Sequence, residues 1–156
     1  MTNRMSLCNK NFSGSSANGN KSELYQLAAI FRRAIMQCDP KTLYVTLQNF
    51  PYGSCGDASL LLAKYFENKG YGQFDYILGN RDGYSHAWLQ QGNLIVDIAA
   101  DQFKDQDRPI IVSCDHTWHA SFNGQVLHIA DYEIYDSFTK NNLANSYSKI
   151  LSKITT

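Results

Sequence analysis

Residues 84–103, YSHAWLQQGNLIVDIAADQF, decide how this chain is read. Two short apolar runs flank Gln91, Gly92 and Asn93, and apolar runs bounded by turn residues read as strands. With Gly92–Asn93 as a two-residue loop, glycine takes the first central position, as a type II′ turn wants, and Gln91 pairs with Leu94. Counting outward, Trp88 lies opposite Asp97 and His86 opposite Ala99. Side chains alternate between faces, so His86, Trp88 and Asp97 share one, with His86 diagonal to Asp97. A loop at Gln91–Gly92 puts His86 directly across from Asp97 on the same face, whereas a three-residue loop reverses the parity. A carboxylate bonded to one imidazole nitrogen fixes the tautomer and leaves the other nitrogen to take a proton.

A source for that proton lies upstream in residues 50–66, FPYGSCGDASLLLAKYF. Cys55 stands where a hydrophobic helix begins, running to about Asn68 and closed by Lys69–Gly70. Unpaired N–H groups and the helix dipole favour a thiolate there. Gly53 and Gly56 are read as leaving room for a substrate backbone, while Asp57 opposes the anion. A buried structural cysteine, a strand histidine and a turn carboxylate are the plainer alternatives for Cys55, His86 and Asp97 taken singly.

The remaining elements follow from periodicity. Leu24, Leu27, Ala28, Phe31, Ala34 and Ile35 recur at three- and four-residue steps, which predicts an amphipathic helix from an N-cap at Ser22 to the CDP at residues 38–40. Residues 1–20, rich in Ser, Asn and Gly, read as a loose tail, leaving 21–156 as a single domain. Residues 74–79, 85–90, 93–99 and 109–113 read as strands, 124–130 as a fifth, and 139–154 as a last helix. GNRDG, residues 79–83, reads as a mobile loop before the His86 strand. Helices first and strands afterwards give an α+β fold with N-terminal helices packed on an antiparallel sheet.

Composition removes several classes. The chain has 156 residues, 44% hydrophobic, with 14 basic and 14 acidic side chains, which suits one globular domain and gives no electrostatic footprint for nucleic acid. No apolar window is long enough for a membrane span, and no apolar segment follows Arg4 as in an export signal. A cytoplasmic setting with all four cysteines reduced is therefore expected, export by another route remaining open. Cys114, His116 and His119 supply only three ligand-type residues without a partner pair, so neither a metal nor another cofactor is expected.

A Cys at a helix start, then HAW on one strand and VDI on the next, resembles the catalytic core of the transglutaminase-like superfamily of cysteine enzymes. The resemblance spans about residues 48–103 and looks closest to bacterial transglutaminase-like cysteine peptidase domains. It implies a papain-like α+β core with Cys55 as nucleophile, His86 as general base and acid, and Asp97 as its orienter. Protein cross-linkers, deamidases, peptidases and peptide N-glycanases belong to that superfamily, and arylamine N-acetyltransferases share the core. The implied activity is amide hydrolysis of a protein or peptide through a thioester, as a peptidase or glutamine deamidase. A transglutaminase or acyltransferase using the same triad, or a non-catalytic binding protein keeping the fold, are the alternatives.

Such a site also needs donors for an oxyanion. The Cys55 N–H is one, and Gln48 is favoured over Asn49 as a side-chain donor because its arm is longer, with Gln102 the weaker alternative. Trp88 is read as a wall of the site, and Trp118 and His119 as a substrate wall. His128 is read as an ordinary strand position.

Overall fold

The computed structural model describes residues 15–154, with side chains from residue 20 onward. Its elements run α1 (Ser15–Gln37), α2 (Cys55–Asn68), β1 (Asp75–Arg81), β2 (Tyr84–Gln91), β3 (Leu94–Asp97), β4 (Ile111–Ser113), α3 (Thr117–Ala120), β5 (Gln125–Ile129) and α4 (Ser137–Leu151). The strands form one antiparallel sheet in the order β4-β3-β2-β1-β5, so the fold is α+β. Among the described residues no helix is long and apolar enough to cross a membrane.

Two hairpins set the register. Gln91 pairs with Leu94 across Gly92–Asn93, and Gly92 has φ 58°, the positive value that the first central position of a type II′ turn requires. Arg81 pairs with Tyr84 across Asp82–Gly83, both with positive φ, which is type I′ geometry. The expected mobile loop at 79–83 is thus corrected: Gly79, Asn80 and Arg81 belong to β1, and only Asp82 and Gly83 turn. Gly79 serves packing instead, since a Cβ there would lie 2.5 Å from the Phe122 carbonyl oxygen.

The alternation of β2 and β3 divides the apolar residues between two faces. Ala87, Leu89, Leu94 and Val96 face the main core with Leu24, Ala28 and Phe31 of α1, Leu61 and Phe66 of α2, and Leu143 and Ile150 of α4. Fully burying each Leu or Phe contributes about 1.5–3 kcal/mol. The opposite face carries a smaller cluster of Ile77, Trp88, Ile95 and Phe122. His86 and Asp97 have the parity of that second face.

Helix α1 starts at Ser15, seven positions before the expected N-cap, and Ser22 lies within it. The apolar period of the sequence begins only at Leu24, which is buried in the core, so the positions before it carry no periodic signal. Residues 1–14 of the expected tail lie outside the described residues. The expectation of four reduced thiols is also corrected, because Cys114 is disulfide-bonded while Cys38 and Cys55 are free.

One polar clamp crosses the core. Arg32 of α1, 8% exposed, donates to both carboxylate oxygens of Asp101 at 2.9 and 2.8 Å and to the carbonyls of Ile98 and Pro109. It pins the segment that leaves β3. Because removing one partner of a buried ion pair strands the other, Arg32→Met is expected to cost about 3 kcal/mol in urea unfolding. An unchanged unfolding midpoint would show that the clamp is incidental.

Candidate active site

Beyond Leu89↔Val96 the ladder between β2 and β3 ends, while Asp97 goes on to pair with Ile111 of β4. The strands part at this point, leaving the β2 edge at His86 and Ala87 open toward the chain that follows β3. Helix α2 meets that opening with its first residue, Cys55. The N-cap Ser54 makes no side-chain cap, its hydroxyl donating instead to the Thr46 carbonyl at 2.8 Å. The first-turn N–H groups of α2, which have no intrahelical acceptors, are therefore left uncovered by their own cap.

Cys55 is half-buried, and the groups that act on its thiol are the His86 side chain, the Ala87 backbone N–H and the Gln102 amide. Burial raises its pKa, but His86, the Ala87 N–H and Gln102 together outweigh it, so the thiol ionises more readily than an ordinary one. His86 is completely buried and places Nε2 2.7 Å from Asp97 Oδ2, the diagonal pairing that the hairpin register predicts. Burial opposes its charge, yet the Asp97 carboxylate, with help from Cys55, lifts its pKa to about 9. Asp97 is 1% exposed, and burial favours its neutral form. The charge of His86 and the bonds from His119 and His86 reverse that and hold it well below the usual carboxylate range. Sulfur, imidazole and carboxylate thus form one connected line.

Gln102 is the side-chain amide at the site. Its Nε2 donates to the Ala99 carbonyl at 3.0 Å and lies 3.2 Å from His86 Nδ1, while its Oε1 accepts from the Gly53 N–H at 3.4 Å. Flipping the amide would set oxygen against the Ala99 carbonyl and NH2 against the Gly53 N–H, so the network fixes its orientation. Gln48 does not reach the site, because its Nε2 is committed to the Leu43 carbonyl at 3.0 Å, and Asn49 is exposed on the turn beside it. The preference for Gln48 is therefore corrected: reach along the chain mattered less than the 3-10 turn at Ala100–Gln102, which folds Gln102 back over His86.

The other candidate residues are placed as follows. Trp88 is 3% exposed, with its ring 5.6 Å from that of His86, and forms an apolar wall behind the imidazole. Trp118 donates Nε1–H to Asp105 at 3.0 Å and sets its ring edge-on to His86. His119 is 2% exposed and bonds through Nε2 to Asp97 Oδ2 at 2.7 Å, so it lies on the carboxylate and not along a substrate wall. Gly56 makes room for the Tyr76 hydroxyl, which a Cβ would approach to 2.7 Å, and not for a substrate backbone. Asp57 is tied to the Thr46 hydroxyl. His128 lies in β5 as expected and bonds to the Tyr135 hydroxyl at 3.0 Å.

His86, Asp97 and His119 together have the ligand types of a metal site. A tetrahedral ion bound at about 2.0–2.2 Å holds its ligand atoms roughly 3.4 Å apart. Both imidazole nitrogens are 2.7 Å from one carboxylate oxygen, which is direct hydrogen-bond geometry.

An open groove of about 630 Å³ reaches Gly53, two residues before Cys55, and its lining also includes Tyr52, Tyr84, Ser85, Gln102 and Phe103. The residues that sequence reasoning missed are Arg32 and, in its actual place, His119. Arg32 had a usable signal, since it lies four residues after Ala28 and three before Ile35, within the buried stripe of α1.

The charge on His86 gives a stability prediction. An ordinary imidazole titrates near ~6.5, and a folded value raised to about 9 means that the stabilisation is complete below ~6.5 and is lost as pH rises toward 9. In Cys55→Ala, where the thiol no longer titrates, the melting temperature is expected to fall across that window, and adding Asp97→Asn to flatten the fall. A flat profile for Cys55→Ala alone contradicts an ionised Asp97 beneath the imidazole.

No family model matches the chain, and neither the curated proteins nor the solved structures searched hold a match to it.

Proposed function

We propose that this protein is a cysteine-dependent amide hydrolase, a peptidase or glutamine deamidase, built on a papain- or transglutaminase-like core. The observation that carries the reading is the buried line from Cys55 through His86 to Asp97, starting at the first residue of a 14-residue helix. A thiol at a helix start with an imidazole on it is an activated nucleophile, and the carboxylate behind the ring sets which nitrogen meets the sulfur.

The chemistry follows from the atoms. Asp97 accepts the Nε2–H of His86, so Nδ1 faces Cys55 and takes the thiol proton. As that proton moves, the Gln102 N–H loses its acceptor on Nδ1 and turns to the anion. The thiolate attacks the carbonyl carbon of a peptide bond or a glutamine side chain lying in the groove. The oxyanion falls to the Cys55 backbone N–H and the Gln102 amide. His86 then gives the Nδ1 proton to the departing nitrogen, leaving a thioester. Water, deprotonated by the same nitrogen, releases the acid and free enzyme. An amine in place of water would give cross-linking or acyl transfer. Hydrolysis is the favoured outcome because water is always present.

Catalysis needs Cys55 as thiolate and His86 as imidazolium together. Activity therefore has an acid limb below the ordinary thiol range, since the Cys55 pKa is lowered, and an alkaline limb near 9, where His86 loses its proton. The first test is the pH profile of Cys55 alkylation by iodoacetamide, read by peptide mass with Cys55→Ala as the blank. Reaction well below pH ~8.5 is expected. A profile matching a free cysteine leaves the chain as a binding protein. Given a turned-over substrate, Gln102→Ala should lower kcat by about 10²–10³-fold with little change in melting temperature. Unchanged kcat removes Gln102 from the oxyanion site.

A further inference from the structure

We propose that His119 is a positioning residue for the catalytic carboxylate, a second imidazole donor that fixes Asp97 on His86. The inference rests on the catalytic reading above and extends its machinery from three residues to four.

The carboxylate is fully used. Oδ1 accepts the Ala99 backbone N–H at 3.0 Å, and Oδ2 accepts one imidazole on each of its two lone pairs, His86 and His119, both at 2.7 Å. Three donors hold a buried carboxylate ionised and stop it from rotating. With only His86 and Ala99 present, the proton of a His86 imidazolium would face a poorly solvated anion. It would tend to move to Asp97 and leave a neutral imidazole beside the thiolate, which, without the facing positive charge, would take up a proton from water at a higher pH. The ionisable groups acting on Asp97 are His86 and His119 themselves.

His119 is built into place rather than dropped there. It sits on α3, which covers the second face of the sheet just before Phe122. The Phe122 carbonyl accepts the Asn80 N–H of β1 at 2.8 Å, and Gly79 allows that close approach. Arg81 lies 4.4 Å from the centre of the Phe122 ring and pairs with Asp105, which also accepts from Trp118. The His119 ring is flanked edge-on by Trp88 and Trp118, each 4.8 Å away. An imidazole confined in this way presents one N–H in one direction, and that direction is Asp97.

The test compares two amides of different reach. In glutamine the side-chain nitrogen falls where Nε2 of histidine does, whereas in asparagine it falls short, near the Nδ1 position. His119→Gln should keep the native pH profile of Cys55 alkylation within about twofold. His119→Asn should lower the rate at pH 7 by about tenfold and move the inflection up by about one pH unit. Equal behaviour of the two variants overturns the proposal. Should the asparagine variant fail to fold, the 15N-resolved tautomers of the native protein decide. Both His86 and His119 should carry hydrogen-bonded Nε2–H protons, and a neutral His119 protonated at Nδ1 overturns the proposal. Tautomers do not depend on thiol chemistry. An unreactive native Cys55 therefore counts against the hydrolase, and a His119 Nδ1–H against this role alone.

Discussion

Asp97 carries a charge in the interior, and an ion so buried costs several kcal/mol unless donors surround it. Those donors are two imidazoles and a backbone N–H, arriving from β2, α3 and the turn after β3. Much of the architecture can be understood as the means of bringing them together. The parting of β2 and β3 opens the sheet beside the carboxylate. α3 then closes over the second face, and Arg32 reaches across from α1 to hold the outgoing segment at Ile98 and Asp101. The charge, once stabilised, raises His86, and His86 in turn helps lower Cys55.

This arrangement assigns different work to the two faces of the sheet. The face against α1, α2 and α4 carries the main apolar core and shows ordinary packing. The other face holds a smaller aromatic cluster whose rings surround the ionisable groups: Trp88, Phe103, Trp118 and Phe122 all lie within 6 Å of the His86 ring. Excluding water there strengthens each hydrogen bond in the line from sulfur to carboxylate. Of the three, Cys55 alone stays partly open, and Gly53 and Gln102 near it border the groove, whereas His86 and Asp97 are dry.

The sequence carried the parts of this that depend on local rules. Gly92–Asn93 specifies the hairpin, the hairpin specifies that His86 is diagonal to Asp97, and the serine-glycine flanks of Cys55 mark a helix start. Contacts made over long separations by short elements were not legible. α3 has four residues and no period, so nothing tied His119 to Asp97, 22 positions away. Gln102 was underrated because a 3-10 turn, invisible to periodicity, folds it back onto His86. Arg32 was passed over although a charge within a buried stripe demands a partner, and the partner Asp101 is 69 positions away. Helix α1 begins before its predicted start, over positions where the sequence has no apolar period to mark it.

The central claim is that a buried Asp97 keeps His86 protonated beside an ionised thiol, and titration of the His86 ring by 15N NMR tests it most directly. The account predicts both nitrogens protonated at pH 7, with the Nδ1 proton lost near 9. A ring that is neutral at pH 7 and gains its second proton only near ~6.5 or below, like a free imidazole, would contradict it.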